Sequence, residues 1–190
     1  MMSDTIPEFI EGQFLIAMPS LEDPFFSKSV TLMCEHKTEG AFGIIINQAL
    51  PDFDPKLFFK ELNLECRGDG NLKTIHIGGP VQRNNIFVIH GPPFHWLSTY
   101  KVTETIALSN TMDILEGIAS GYGPQDYLIA AGYAGWGAGQ LESEMQRNSW
   151  LTCPLDEDLL FRVSVEDRWE AAIRLLGIDP KLLLDNAGHA

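Results

Sequence analysis

Cationic residues are scarce in this chain. Across 190 residues, 13 Lys and Arg stand against 26 Asp and Glu, a formal net charge of −13. Phosphate contacts from Lys and Arg dominate nucleic-acid affinity, so direct binding to DNA or RNA is disfavoured. Cysteine is scarce too. Cys34, Cys66 and Cys153 are odd in number and scattered, which argues against a disulfide framework and for a reducing compartment. Long hydrophobic runs are missing: Gly43–Ile46 and Tyr127–Ala131 fall far short of the roughly 20 residues of a spanning helix. No membrane partner is expected. Met1–Glu11 carries Asp4, Glu8 and Glu11 and no basic residue, unlike a signal peptide. The expectation is a cytoplasmic protein in which residues 1–11 form a poorly ordered extension.

Motifs that would announce chemistry are also missing. The five histidines (His36, His76, His90, His95 and His189) form no HExxH, and no CxxC exists, so neither a metal site nor a cofactor is expected. No G-x-S-x-G elbow is present, and no residue is assigned as catalytic. Cys34 beside Glu35 reads as a buried structural thiol dulled by that carboxylate. His90, ahead of Gly91-Pro92-Pro93, reads as a loop histidine. Glu142 and Glu144, two apart on a helix, point away from one another and cannot share a substrate.

Hydrophobic residues make up 45 % and charged residues 21 %, the composition of a folded globular chain. No repeat or linker divides it, so residues 1–190 are expected to form a single domain. Phe14–Met18, Val30–Cys34 and Phe42–Ile46 read as strands. Asp54-Pro55 starts a helix that runs to about Leu62 and buries Leu57, Phe58 and Leu62. Thr74–Ile77, Asn85–His90 and, more weakly, Thr105–Leu108 read as strands. A helix capped by Ser109 or Asn110 ends at Gly121. Tyr127–Tyr133 reads as a strand, followed by a glycine-rich loop and a short helix over Gln140–Asn148. Leu159–Val165 is ambiguous between strand and helix. A capping box at Ser164-x-x-Asp167 opens a last helix that Gly177 stops. The mixture, without regular βαβ spacing, indicates a mixed α/β or α+β fold.

Two glycine turns are the candidate ligand sites. Gly78-Gly79-Pro80 follows a strand. Gly135, Trp136, Gly137, Gly139 and Gln140 belong to a run, Gly132–Gln140, that holds four glycines between an apolar strand and a helix. Such a loop can bring backbone N–H groups to an anion. It fails the dinucleotide fingerprint, because Gln140 stands where the third glycine belongs, and it lacks the Lys and Ser/Thr of a P-loop. The favoured reading is a tight corner that only glycine fits, with Trp136 packed over it.

Several blocks together resemble the AlgH/YqgE family. They are Gly12–Pro19, Asp23-Pro24-Phe25-Phe26 with Ser29-Val30, and Glu39–Gly43 leading to Asn47. Gly78–Val81, Gly132–Glu142 and Gly188-His189-Ala190 complete them. The resemblance implies a compact three-layer α/β fold with a mixed sheet and no Rossmann core. It brings no established catalytic or metal-binding residue. Family members are often labelled transcriptional regulators, so the resemblance points to a regulatory or binding protein that acts indirectly, through a protein or small-molecule partner. The alternative is a hydrolase or transferase that handles a phosphate-bearing metabolite at the glycine turns, with Trp136, Gln140 and His90 as its polar or stacking groups.

Overall fold

The computed structural model describes residues 9–67 and 72–187. Residues 1–8 of the expected extension and the block Gly188-His189-Ala190 lie outside the described residues. Strands β1 (Gln13–Ala17), β2 (Val30–Lys37) and β3 (Gly40–Ile45) form where short apolar runs meet turn residues. Helix α1 (Pro55–Glu61) starts as expected, with the Asp54 carboxylate accepting the Lys56 N–H at 2.9 Å and proline in the first turn. Its buried face differs from the expected one: Phe58 and Phe59 point inward, while Leu57 is 51 % exposed.

Strands β4 (Ile75–Ile77), β5 (Val81–His90), β6 (Thr99–Lys101) and β7 (Ala107–Ser109) follow. Helix α2 (Met112–Ser120) has Thr111, rather than Ser109 or Asn110, at its N-cap, and Gly121 ends it in the left-handed conformation. Strand β8 (Tyr127–Gly137) leads to α3 (Gln140–Gln146) and β9 (Trp150–Pro154). Helix α4 (Glu157–Phe161) settles the ambiguous stretch, because the Asp156 carboxylate accepts the Leu159 N–H at 2.7 Å and fixes a helical start. A 3₁₀ turn, Val165–Asp167, precedes α5 (Arg168–Leu175), and α6 (Pro180–Ala187) closes the chain.

Two expectations need correction. The glycine-rich run is not a loop up to Gln140: β8 continues through Gly137, pairing Gly43↔Ala134, Phe42↔Gly135, Ala41↔Trp136 and Gly40↔Gly137 with β3. Ladder hydrogen bonds use only backbone, so glycine does not interrupt them. The Ser164 capping box does not form either. Its hydroxyl donates to the Asp167 carboxylate at 2.5 Å instead of accepting a backbone N–H, and the first turn is 3₁₀.

The strands order β6-β7-β5-β8-β3-β2-β1-β9, antiparallel throughout, and β4 pairs with β8 in parallel. Side chains alternate across this mixed sheet. Phe14, Ile16, Leu32, Ile44, Ile89 and Leu128 face α4, α5 and α6 in one core. On the other face Val88, Ile129 and Ile75 meet α1 and α2, while Leu15, Met33, Ala134 and Trp136 meet α3. The result is three layers, helices over both faces of one sheet, as expected of the fold class and unlike a Rossmann core.

Gly132 makes that layering possible within β8. Its φ of +76° breaks the alternation of β8 opposite a bulge in β5, where the register jumps between Val81↔Tyr133 and Ile86↔Ala131. Leu128 and Ala130 join the first core before the bulge, and Tyr133 packs on that same core after it. This change of phase lets a single long strand serve both halves of the molecule.

Candidate functional site

Gly78 and Gly79 lie where the chain crosses β8. The Gly78 N–H donates to Ala131 O at 2.8 Å, and its carbonyl accepts the Ile45 N–H at 2.8 Å, so the turn stitches β3 to β8. A Cβ on Gly78 would sit 2.3 Å from the Gly132 carbonyl oxygen. One on Gly79, whose φ is +153°, would sit 2.1 Å from the Tyr133 carbonyl carbon. Only glycine fits this crossing. Pro80 then leads directly into β5.

The second glycine run does something different. Ala134 and Trp136 point into the α3-side core, so by alternation Tyr133, Gly135 and Gly137 share the opposite face. Two of those three have no side chain. Glycine therefore leaves bare backbone on one face of a strand whose other face is packed.

Trp136 and Gln140 are held in a hydrogen-bonded knot around Glu144. One Glu144 carboxylate oxygen accepts both the Trp136 indole N–H at 3.0 Å and the Trp150 indole N–H at 2.8 Å. The other accepts from the Gln140 amide at 3.0 Å, and the Gln140 carbonyl oxygen accepts the Gly137 N–H at 3.0 Å. Phe26 packs between the two indoles, 5.8 and 5.5 Å from their centroids. Gly139, with φ +72°, supplies the left-handed step from strand to helix. The polar atoms proposed for ligand contact thus tie α3 to β8 and β9. Glu142 points the other way, as the helical spacing requires, and its carboxylate accepts from buried His36 Nε2 at 3.0 Å. His36 Nδ1 accepts the Ile10 N–H at 3.2 Å, which fixes the proton on Nε2. The Glu142 backbone N–H, with a smaller contribution from His36, holds that carboxyl below the usual range.

Over the bare face lies an open depression of about 410 Å³, lined by Gly135 and Trp136 with Phe42, Tyr133 and Val81. Phe42 and Tyr133 pack with ring centroids 4.8 Å apart, tilted by 45°, and form its apolar wall. Glu35, Lys37 and Glu39 stand at its rim. Lys37 donates to Glu35 at 2.6 Å, and that bond holds its ammonium above the ordinary lysine range. A second depression of about 290 Å³, lined by Cys34, Tyr100 and Leu108, shares Glu35 and Phe42 with the first. Together they make one groove with an apolar floor and an acidic rim. Gly135 and Trp136 belong to it; Gly78, Gly79 and Pro80 do not line it, although Val81 does.

Cys34 and His90, also on the sheet, are buried and occupied. Burial pushes the Cys34 thiol far up, with Glu11 second, so burial replaces the expected influence of Glu35. His90 is fully buried on β5, not in a loop. Its Nδ1 donates to Gly91 O at 2.6 Å and its Nε2 accepts from the Ser109 hydroxyl at 2.9 Å, and burial lowers its pKa. Among the described residues no three His, Cys, Asp or Glu side chains gather as metal ligands. No described helix is long and apolar enough to cross a membrane.

Reading by residue type missed the groove's own residues. Phe42 and Tyr133 were legible only as apolar strand positions. The signal that reveals the bare face is the alternation of small and buried residues from Tyr133 to Gly137.

The family pattern described as AlgH-like matches residues 14–181. A UPF0301 protein of Thioalkalivibrio sulfidiphilus is 48 % identical over 179 residues, covering 94 % of this chain and 96 % of that one. A UPF0301 protein of Desulforapulum autotrophicum is 41 % identical, with all of both chains covered. Among solved structures, the solution structure of the AlgH protein from Pseudomonas aeruginosa matches with a TM-score of 0.76 and 39 % identity over all of both chains. A crystal structure from Corynebacterium diphtheriae, 20 % identical, covers 93 % of this chain and 91 % of its own with a TM-score of 0.71, a likeness of fold.

Proposed function

This chain belongs to the AlgH-like family, and from that premise we propose that it is a cytoplasmic binding protein without catalytic activity. It docks an extended segment of a partner protein in the groove over Phe42, Tyr133 and Gly135. Any effect on transcription then runs through that partner and not through operator contact, since −13 of net charge opposes phosphate binding. The observation that carries this reading is the division of labour in the glycine run. The polar atoms of Trp136 and Gln140 are bonded to the chain's own groups, and the face left open offers backbone and aromatic surface.

The rim selects the occupant. Glu35 and Glu39 outnumber Lys37, which is already paired, so a phosphate-bearing metabolite meets repulsion there. A peptide with apolar side chains for the Phe42–Tyr133 wall and Lys or Arg for the rim fits both features.

Selection of displayed peptides against the full chain tests this. Enrichment of aromatic or aliphatic residues flanked by Lys or Arg is expected. Binding should be lost in the double variant Glu35→Lys, Glu39→Lys while the melting temperature holds. Failure to enrich any such peptide contradicts the reading. So does a turnover of a phosphorylated compound that Gln140→Ala abolishes without moving the melting temperature.

A further inference from the structure

A second pocket lies at the other end of β8 from the glycine run and plays no part in the groove. It is an open pocket of about 460 Å³ between β4, the start of β8 and the α4–α5 connection. That volume falls within the roughly 300–1,000 Å³ of small-molecule sites. Its walls include Leu72, Phe161 and Val165, and its polar groups include Lys73, Tyr127 and Arg168.

Arg168 is the unusual member. It is 5 % exposed, and arginine is almost never so buried without an acidic partner. Here no carboxylate pairs with it among the described residues. Nε donates to Val163 O at 3.1 Å, while Nη1 donates to Ile46 O and, at 3.1 Å, to His76 Nε2. His76 is neutral in that arrangement, because its Nδ1 faces Ile129 O at 3.3 Å and so carries the proton. Nη2 has no partner among the described residues. The fully enclosed polar side-chain atoms without partners are Ser29 Oγ and Thr31 Oγ1, so Nη2 keeps an opening, and the cavity that Arg168 lines provides it.

The neighbouring groups extend this donor surplus. Lys73 holds its ammonium 4.8 Å over the Tyr127 ring and 5.8 Å from the Phe161 ring. The Tyr127 hydroxyl accepts the Lys73 backbone N–H at 3.4 Å, which leaves its own proton to donate. Glu166 is the one acid lining the cavity, set against two cations. Asp126, which also faces Lys73, is paired with Arg162 at 3.3 Å. In a chain this acidic, the cavity is a local reversal of sign.

We propose that this cavity binds the carboxylate or phosphate group of a small organic anion. Arg168 Nη2, Lys73 and the Tyr127 hydroxyl supply the donors, and Leu72, Phe161 and Val165 hold an apolar or aromatic body. The excess of one positive charge suits a single anionic group. The bonds to Val163 and Ile46 hold the guanidinium in place before the ligand arrives, which limits the ordering cost of binding.

Titration of the isotopically labelled full chain with benzoate, phenyl phosphate and neutral benzyl alcohol at constant ionic strength tests this. Amide shifts confined to Lys73, His76, Tyr127 and residues 160–168 are expected for the two anions and not for the alcohol. A stronger response to either anion supports the proposal and identifies the preferred group. Arg168 also braces the fold, so the decisive variant is Lys73→Met, which should weaken binding roughly tenfold while the melting temperature holds. Equal shifts with benzyl alcohol, shifts scattered over the surface, or unchanged affinity in Lys73→Met overturn it. None of these outcomes bears on the groove.

Discussion

Glu144 shows how a residue can carry the signature of a site and serve the fold. It accepts two indole N–H groups and one exposed amide N–H, so its loss strands two buried donors at once. Glu144→Ala is expected to cost about 2–4 kcal/mol in urea unfolding. Glu144→Gln keeps a carbonyl acceptor for the indoles and should cost less. His76 sets a pH dependence. Burial first, and Arg168 second, lower its pKa from 6.5 to about 4. The unfolded imidazole therefore takes up a proton near pH 6.5, while the folded one resists until about pH 4. Across that window the unfolded chain binds more protons, so stability is full above pH 6.5 and falls as pH drops. The loss attributable to His76 is about 3 kcal/mol by pH 4. It should appear as a difference between wild type and His76→Gln in denaturant unfolding from pH 7 to 4. The thiols are ordered by burial. Iodoacetamide should modify half-buried Cys66 first and leave buried Cys34 untouched until the chain unfolds, as peptide mass spectrometry will show.

At the scale of elements, the glycines divide by what surrounds them. Gly79→Ala would drive a methyl group into the Tyr133 backbone at 2.1 Å, and neither strand can move without breaking the β3–β8 stitch. A loss of more than about 3 kcal/mol, or failure to fold, is expected. Gly137→Ala meets nothing nearer than Gln140 Oε1 at 4.0 Å, and its stability should stay within about 1 kcal/mol of wild type. Thermal unfolding of the two variants checks the contrast. This division explains what was legible in advance. The strands from β1 to β5 and the helices α1 and α2 were readable because apolar runs met Pro, Gly and Asp at their ends. The corner at Gly78-Gly79 was readable from glycine chemistry alone. The β8 extension was hidden because glycine reads as loop, although Ala134 and Trp136 alternate with Gly135 and Gly137 at the period of a strand. Strand β9 was hidden by its brevity and terminal proline, and α6 by beginning at Pro180, just past the Gly177 that stops the previous helix. The Arg168 cavity had no local signal, since it joins β4, β8 and α5 across some 90 residues of chain.

At the scale of the whole molecule, two surfaces toward opposite ends of β8 differ in their electrostatics. The groove over Phe42 and Tyr133 is rimmed by Glu35 and Glu39, while the cavity at Arg168 and Lys73 is positive within a chain of net charge −13. The acidic whole disfavours a duplex, so gel shifts with random DNA at physiological salt should show no complex at micromolar protein. The account rests most heavily on the claim that the bare strand face at Gly135 is a docking surface for a partner chain. Photo-crosslinking in cells tests it most directly, with a photoreactive phenylalanine derivative substituted at Gly135, where the nearest neighbour to a new Cβ is the edge of the Tyr133 ring at 3.2 Å. The account expects one defined protein adduct from position 135, none from exposed Gln146, and loss of the adduct on Glu35→Lys, Glu39→Lys. The same adducts from both positions, or an adduct indifferent to charge reversal, would contradict it.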